Sequence, residues 1–166
     1  ADEFNIPRIS QLSLKTNQFN MTTKRYQTAD IKKMLESGKY TAYCCSVSDR
    51  FGDSGITGCC IAKTDGEDAY IDTFLMSCRV LGRNVEYAFL SSVIKQLREK
   101  GIRRITAKFI PTAKNTANSG FFEKAGFRVV DSKEESTLFE LDEGMEMIEF
   151  DYIKVSVCSS KETSRS

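Results

Sequence analysis

The chain has 166 residues, with 24 Lys and Arg against 23 Asp and Glu, a net charge of +1, and is long enough for one domain with a sizeable core. The near-neutral balance, with no basic patch interleaved with aromatics, argues against nucleic acid as a partner, and no run approaches the roughly 18 apolar residues of a membrane span. There is no histidine, and none of the 6 cysteines forms a Cys-x-x-Cys pair, so no metal is expected and Ser-His-Asp and Cys-His catalysis are excluded.

The start, ADEFNIPRIS, has neither a basic nor an apolar leader region, so no signal peptide is visible and a cytoplasmic location is expected. Residues 1–21 read as a lead-in that packs on the domain. Pro7 turns its beginning away from helix, and a short helix is expected over Ser10–Lys15 with Ile9 and Leu12 on one side. The amide-rich run Lys15–Asn20 has no period, and its side chains can bond to the backbone. The domain itself is expected over residues 22–157, opening with a strand at Thr22–Tyr26. A helix follows from an N-cap at Thr28 to about Ser37, stopped by Gly38.

Tyr40–Ser48, Ile56–Lys63 and Ala69–Cys78 read as an antiparallel meander, joined by turns at Asp49–Gly55 and Thr64–Asp68. Two adjacent cysteine pairs, Cys44-Cys45 and Cys59-Cys60, lie inside these strands. Neighbouring strand residues point to opposite faces, which puts one thiol of each pair inward. They read as small buried hydrophobes in a reducing compartment, with a redox pair or catalytic thiol as the other reading.

The third strand runs through Arg79-Val80-Leu81-Gly82-Arg83-Asn84 into an amphipathic helix striped by Val85, Phe89, Val93 and Leu97 and ended by Gly101. A strand turning through glycine into a helix leaves N–H groups free at the positive end of the helix dipole, a ready anion site. Arg79 and Arg83 read either as a solvated pair or as partners of a bound phosphate; positive charge there suits the dipole only when an anion is present. A strand at Ile102–Ile110 follows, parallel to the last meander strand. A short helix over Asn115–Lys124 ends at Gly126, and Gly120 inside it suggests close packing. Strands are expected at Phe127–Asp131, Thr137–Leu141 and Met147–Val157, then a disordered tail over 158–166. The order β-α-β-β-β-α-β-α-β-β describes an α+β fold with a mixed, mostly antiparallel sheet flanked by helices.

Two motifs resemble the GNAT (GCN5-related acetyltransferase) superfamily. The Gln/Arg-x-x-Gly-x-Gly/Ala signature is matched by Arg79 and Gly82, with Asn84 in the place of the last small residue. The late Asn…Phe-Tyr-Glu-Lys-x-Gly-Phe helix is matched by Asn115 and Phe121–Phe127, with Phe122 where tyrosine is usual. RISQLSLKTNQFNMTTKRY, DRFGDSGITG, IDTFLMSCRVLGRNVE and IPTAKN further resemble the C-terminal domain of FkbH-like proteins. Those proteins carry an upstream haloacid-dehalogenase (HAD)-like domain and load a glyceryl unit onto an acyl carrier protein.

The resemblance implies a site for acyl-coenzyme A, or for the phosphopantetheine of a carrier protein. Backbone N–H groups of Val80, Leu81, Gly82, Arg83 and Asn84 would hold phosphate, with Arg79 and Arg83 adding charge. The edge Phe74–Cys78 would splay from its parallel neighbour and pair with the pantetheine arm, an N–H near Leu75 or Met76 facing the thioester oxygen. Asn115 would contact the arm, or serve as an N-cap, or both. Phe122 cannot supply the acid that the usual tyrosine provides. Asp72 and Glu86 are the candidate bases; each also reads as an ordinary hydrogen-bonded carboxylate. Ser77 and Cys78, with no histidine to activate them, read as packing residues. The expected activity is transfer of an acyl or glyceryl group to an amine, hydroxyl or thiol, with a non-catalytic carrier-protein or coenzyme-binding module as the alternative.

Overall fold

The computed structural model describes residues 3–145 and 147–157; the expected tail, with Cys158, lies outside them. Two helices come first, α1 (Ile6–Lys15) and α2 (Thr28–Glu36). Strands β1 (Tyr40–Asp49), β2 (Gly52–Asp65) and β3 (Asp68–Met76) form the antiparallel meander that the alternation predicts. Helix α3 (Val85–Glu99) crosses over to β4 (Arg104–Phe109), followed by α4 (Phe121–Ala125), β5 (Arg128–Ser132) and β6 (Thr137–Leu141). Among the described residues these make a six-stranded sheet in the order β1-β2-β3-β4-β6-β5, in which only β3 and β4 pair in parallel. The architecture is α+β, mixed and mostly antiparallel, with a helix layer on each face.

The sheet divides two cores. Phe74, Met76, Phe89, Leu90, Val93, Leu97, Phe121 and Phe122 fill the side of α3 and α4. Ile6, Ile9, Leu12, Ile31, Ile61 and Leu75 fill the side of α1 and α2. A bulge lets β3 serve both. Its register with β2 jumps from Thr73 opposite Ile61 to Ile71 opposite Ala62, leaving Asp72 as the extra residue. Ile71 and Phe74 therefore share the α3 face. Cys59 and Cys60 are both fully buried, on opposite faces, and burial holds both thiols well above their usual range. The inward-outward reading of that pair is thus corrected: both sheet faces are core there.

Several elements depart from expectation. Pro7 lies in the first turn of α1, where its missing N–H costs nothing, so the helix starts at Ile6 rather than Ser10. Gln27, not Thr28, is the N-cap of α2; the Gln27 N–H donates to Asp30 Oδ2 at 2.8 Å. Thr22–Tyr26 belongs to no strand: Thr23 takes φ 56°, and the alternate side chains, not the backbone, make the contacts with β3. The expected helix over Asn115–Lys124 is a 3₁₀ turn, Thr116–Asn118, then α4, with Gly120 at the junction. A Cβ at Gly120 would meet only Lys124 Cε at 3.8 Å, so close packing does not explain that glycine.

Met147–Val157 is not a strand. Met147 packs on the α3-side core, Phe150 lies against Tyr87, and the segment crosses the start of α3 instead of pairing.

Candidate functional site

The β3–α3 connection is built as its glycine requires. After β3 a 3₁₀ turn, Cys78–Val80, buries Val80 and leaves Arg79 exposed. Gly82 then takes φ 85° and Asn84 φ 62°. Both angles are left-handed, free for glycine and tolerated by asparagine, which explains how Asn84 can stand where a small residue was expected. Asn84 caps α3 by accepting the Ala88 N–H at 3.1 Å. No described acceptor takes the N–H groups of Val85, Glu86 and Tyr87 at this helix start. The site therefore has aligned donors, a positive helix end and a nearby exposed guanidinium, Arg79, with no partner among the described residues, the chemistry that holds a phosphate. Arg83 is engaged: its Nη1 lies 3.1 Å from Asp49 Oδ2 at the end of β1. Tyr152 reaches the turn from the C-terminal segment, its hydroxyl accepting from Asn84 Nδ2 at 2.5 Å.

Glu86 sits in the first turn of α3, buried at 8 % exposure, with Oε2 unpartnered among the described residues. Helical side chains lean toward the N-terminus, so this carboxylate lies beneath the turn.

Asp72 is buried on the α1–α2 side, and its oxygens are taken. Lys24 Nζ donates to Oδ1 at 2.7 Å, while the Tyr26 hydroxyl and Thr73 Oγ1 donate to Oδ2 at 2.7 and 2.9 Å. Burial works to lower the Lys24 ammonium, but its bond and charge pairing with Asp72 outweigh that and raise it. Burial, and next the bond to Asp72, push the Tyr26 phenol well above its usual range. Tyr70 lies under the Lys24 ammonium at 5.6 Å. Beside this cluster a dip of about 330 Å³ opens on the sheet face, lined by Lys63, Asp68, Tyr70, Arg104 and Thr106.

Between the turn and this cluster, β3 and β4 part. Their parallel pairing spans only Asp68–Ile71 against Arg104–Ala107. The freed edge of β3, at Leu75 and Met76, carries residues 19–21 of the chain itself. The Met21 N–H donates to Phe74 O at 3.1 Å and the Met76 N–H to Phe19 O at 3.0 Å, while the Ile110 N–H donates to Met21 O at 2.8 Å. Asn115, fully buried, holds the same segment: its Nδ2 donates to Asn20 O and Ile110 O, and its Oδ1 accepts the Thr112 N–H. Phe122 is 1 % exposed and packed among Phe121, Phe127 and Phe139.

The structure thus brings Arg79–Asn84 and Glu86 together at one turn, places Leu75, Met76 and Asn115 around the segment of residues 19–21, and sets Asp72 on the opposite face. Lys24 and Tyr26 were not foreseen as Asp72 partners. The signal was present: Thr22, Lys24 and Tyr26 recur at the strand period of two, and all three reach Asp72.

No family model matches the chain, and comparison with curated proteins finds no match. Solved structures do match. The ribosomal-protein-S18-alanine N-acetyltransferase of Escherichia coli is 11 % identical, with a TM-score of 0.62 over 93 % of this chain and 96 % of that one. Rv2747 from Mycobacterium tuberculosis, in complex with coenzyme A, is 11 % identical, with a TM-score of 0.64 over 86 % and 96 %. PaiA N-acetyltransferase from Thermoplasma acidophilum, also with coenzyme A, is 17 % identical, with a TM-score of 0.57 over 70 % and 72 %. The fold is that of the GNAT acetyltransferases.

Proposed function

We propose that the chain is a GNAT-type acyltransferase domain that binds acyl-coenzyme A, or the acyl-phosphopantetheine of a carrier protein, at the β3–α3 turn. It passes the acyl or glyceryl group to an amine, hydroxyl or thiol. The observation that carries this reading is the turn: two left-handed residues, Gly82 and Asn84, deliver unpaired N–H groups at the start of α3. The fold's likeness to coenzyme A-bound acetyltransferases supports the choice of anion.

In this reading Leu81 to Asn84 and the first amides of α3 hold the phosphates, and Arg79 closes over them; the expected Val80 amide is corrected, because its N–H already donates to Ser77 O at 3.3 Å. The bound thioester supplies an activated acyl group. Met76, through its N–H, would orient the arm along β3. Of the two candidate bases, Glu86 has the oxygen left to take a proton. Asp72 acts through Lys24 and Tyr26; the Lys24 ammonium lies over Tyr70, which lines the open dip where an acceptor would approach. The FkbH-like partner domain, the carrier protein and a cytoplasmic location rest on the sequence; no helix among the described residues is long and apolar enough to cross a membrane.

A second reading, a coenzyme- or carrier-binding module without catalysis, is favoured by Phe122, whose place in an aromatic core leaves no acid there. Calorimetric titration with coenzyme A, followed by thioester cleavage against a panel of amines, hydroxyls and thiols, separates the two. Binding with acceptor-dependent cleavage supports the transferase, binding alone leaves the module, and no binding overturns the reading of the turn.

A further inference from the structure

The segment Phe19–Thr22 has the properties of a strand added to the sheet where the fold opens. It is antiparallel to β3, with Asn20 opposite Leu75. Its backbone bonds to β3 on one side and to Ile110, past the end of β4, on the other. Thr22 Oγ1 donates to Asp72 O at 2.9 Å, and Asn118 Nδ2 donates to Gln18 O at 2.7 Å. Phe19 stacks edge-on against Phe121, with ring centroids 4.9 Å apart. All four residues are buried, at 0 to 4 % exposure. The segment ends on Thr23, a β-branched residue at φ 56° whose buried Oγ1 has no partner among the described residues. Such a conformation persists only where surrounding structure enforces it, and it marks switch segments.

We infer that Phe19–Thr22 is an autoinhibitory strap that competes with the pantetheine arm for the edge of β3. The inference rests on the proposed function, in which the arm pairs with that edge. The Met76 N–H has one acceptor to satisfy it at a time, either Phe19 O or an arm carbonyl. Strap and arm therefore exclude each other. The phosphate turn lies outside the strap's contacts and stays accessible to the nucleotide end of the ligand. With the strap in place the affinity for the arm is reduced by the fraction of molecules that have released it. Asn115 holds the closed form through Asn20 O, and Lys24 and Tyr26 clamp the following residues to Asp72.

The test compares coenzyme A with adenosine bisphosphate, its nucleotide end, on the full chain by calorimetry. Wild type should bind the two within about threefold of each other, since the arm adds nothing while the strap is closed. Phe19→Ala should leave adenosine bisphosphate affinity unchanged and tighten coenzyme A by about tenfold or more. Asn118→Ala, a change at a half-buried residue that removes the bond to Gln18 O, should move coenzyme A the same way by about threefold and guards against loss of fold in the first variant. Unchanged adenosine bisphosphate affinity certifies the turn in each variant. If wild type already binds coenzyme A far more tightly than adenosine bisphosphate, or if neither variant gains, the strap proposal fails while the turn stands. Binding of neither probe overturns the reading of the turn, and the strap proposal with it.

Discussion

Asp72 gathers Lys24, Tyr26 and Thr73 on its carboxylate, because a bulge in β3 aims it away from the α3 core. Removing its charge leaves an ammonium facing a neutral amide. Lys24 is 35 % exposed, so water recovers part of the loss. Asp72→Asn should therefore cost about 2 kcal/mol in urea unfolding, below the 3–5 kcal/mol of a fully buried pair. Phe122 makes the opposite point. Introducing the tyrosine usual in the motif that this stretch resembles would place a hydroxyl in a site packed by Phe121, Phe127 and Phe139. Phe122→Tyr should destabilise by about 1–3 kcal/mol and leave thioester cleavage no faster than wild type. A gain in cleavage would show that the ring reaches the site. That Phe122 differs from the motif is legible in the sequence; that Phe139 closes over it is not, because that ring comes from β6, a separate strand.

At the scale of elements, the turn before α3 has a conformational requirement that is separable from packing. A Cβ on Gly82 would meet nothing within 4 Å, yet φ is 85°. Gly82→Val should thus cost about 1–2 kcal/mol in stability, from backbone strain alone, while abolishing coenzyme A binding. Equal affinity would count against the backbone cradle. The segment of residues 22–26 carries a pH signature. Lys24 and Tyr26 are both raised in the folded chain. Their stabilisation is complete below the unfolded values near pH 10 and is lost as pH rises through the folded ones. Stability to urea should fall above about pH 10, and Asp72→Asn should flatten that loss. The strap is stable for ordinary reasons: burying Phe19 and Met21 contributes about 2 kcal/mol each. Its place was not readable from the residues. Lys15–Asn20 has no period, and the backbone bonds that fix residues 19–21 are made to β3 and Ile110, far along the chain.

Across the whole molecule, the meander, the crossover through α3 and the β5–β6 hairpin follow from local alternation and glycine stops, so the fold class was legible. The ends were not. Ile153, Val155 and Val157 alternate as a strand would, but pattern shows only which face is apolar, and pairing needs an open edge that the segment does not reach. It crosses the α3 start instead, where Tyr152 meets Asn84. The same limit hid the parting of β3 and β4, which depends on where pairing stops rather than on any residue type.

The central claim is that the amides at the β3–α3 turn hold the phosphate end of coenzyme A. The most direct measurement is a nuclear magnetic resonance titration of the labelled chain with coenzyme A, following the amides of Gly82 to Tyr87. The largest saturable shifts should fall on Arg83 to Tyr87, with little change at Val129 and Val130 on the edge strand β5. Saturable binding that leaves the α3 start unmoved, or no binding at all, would contradict it.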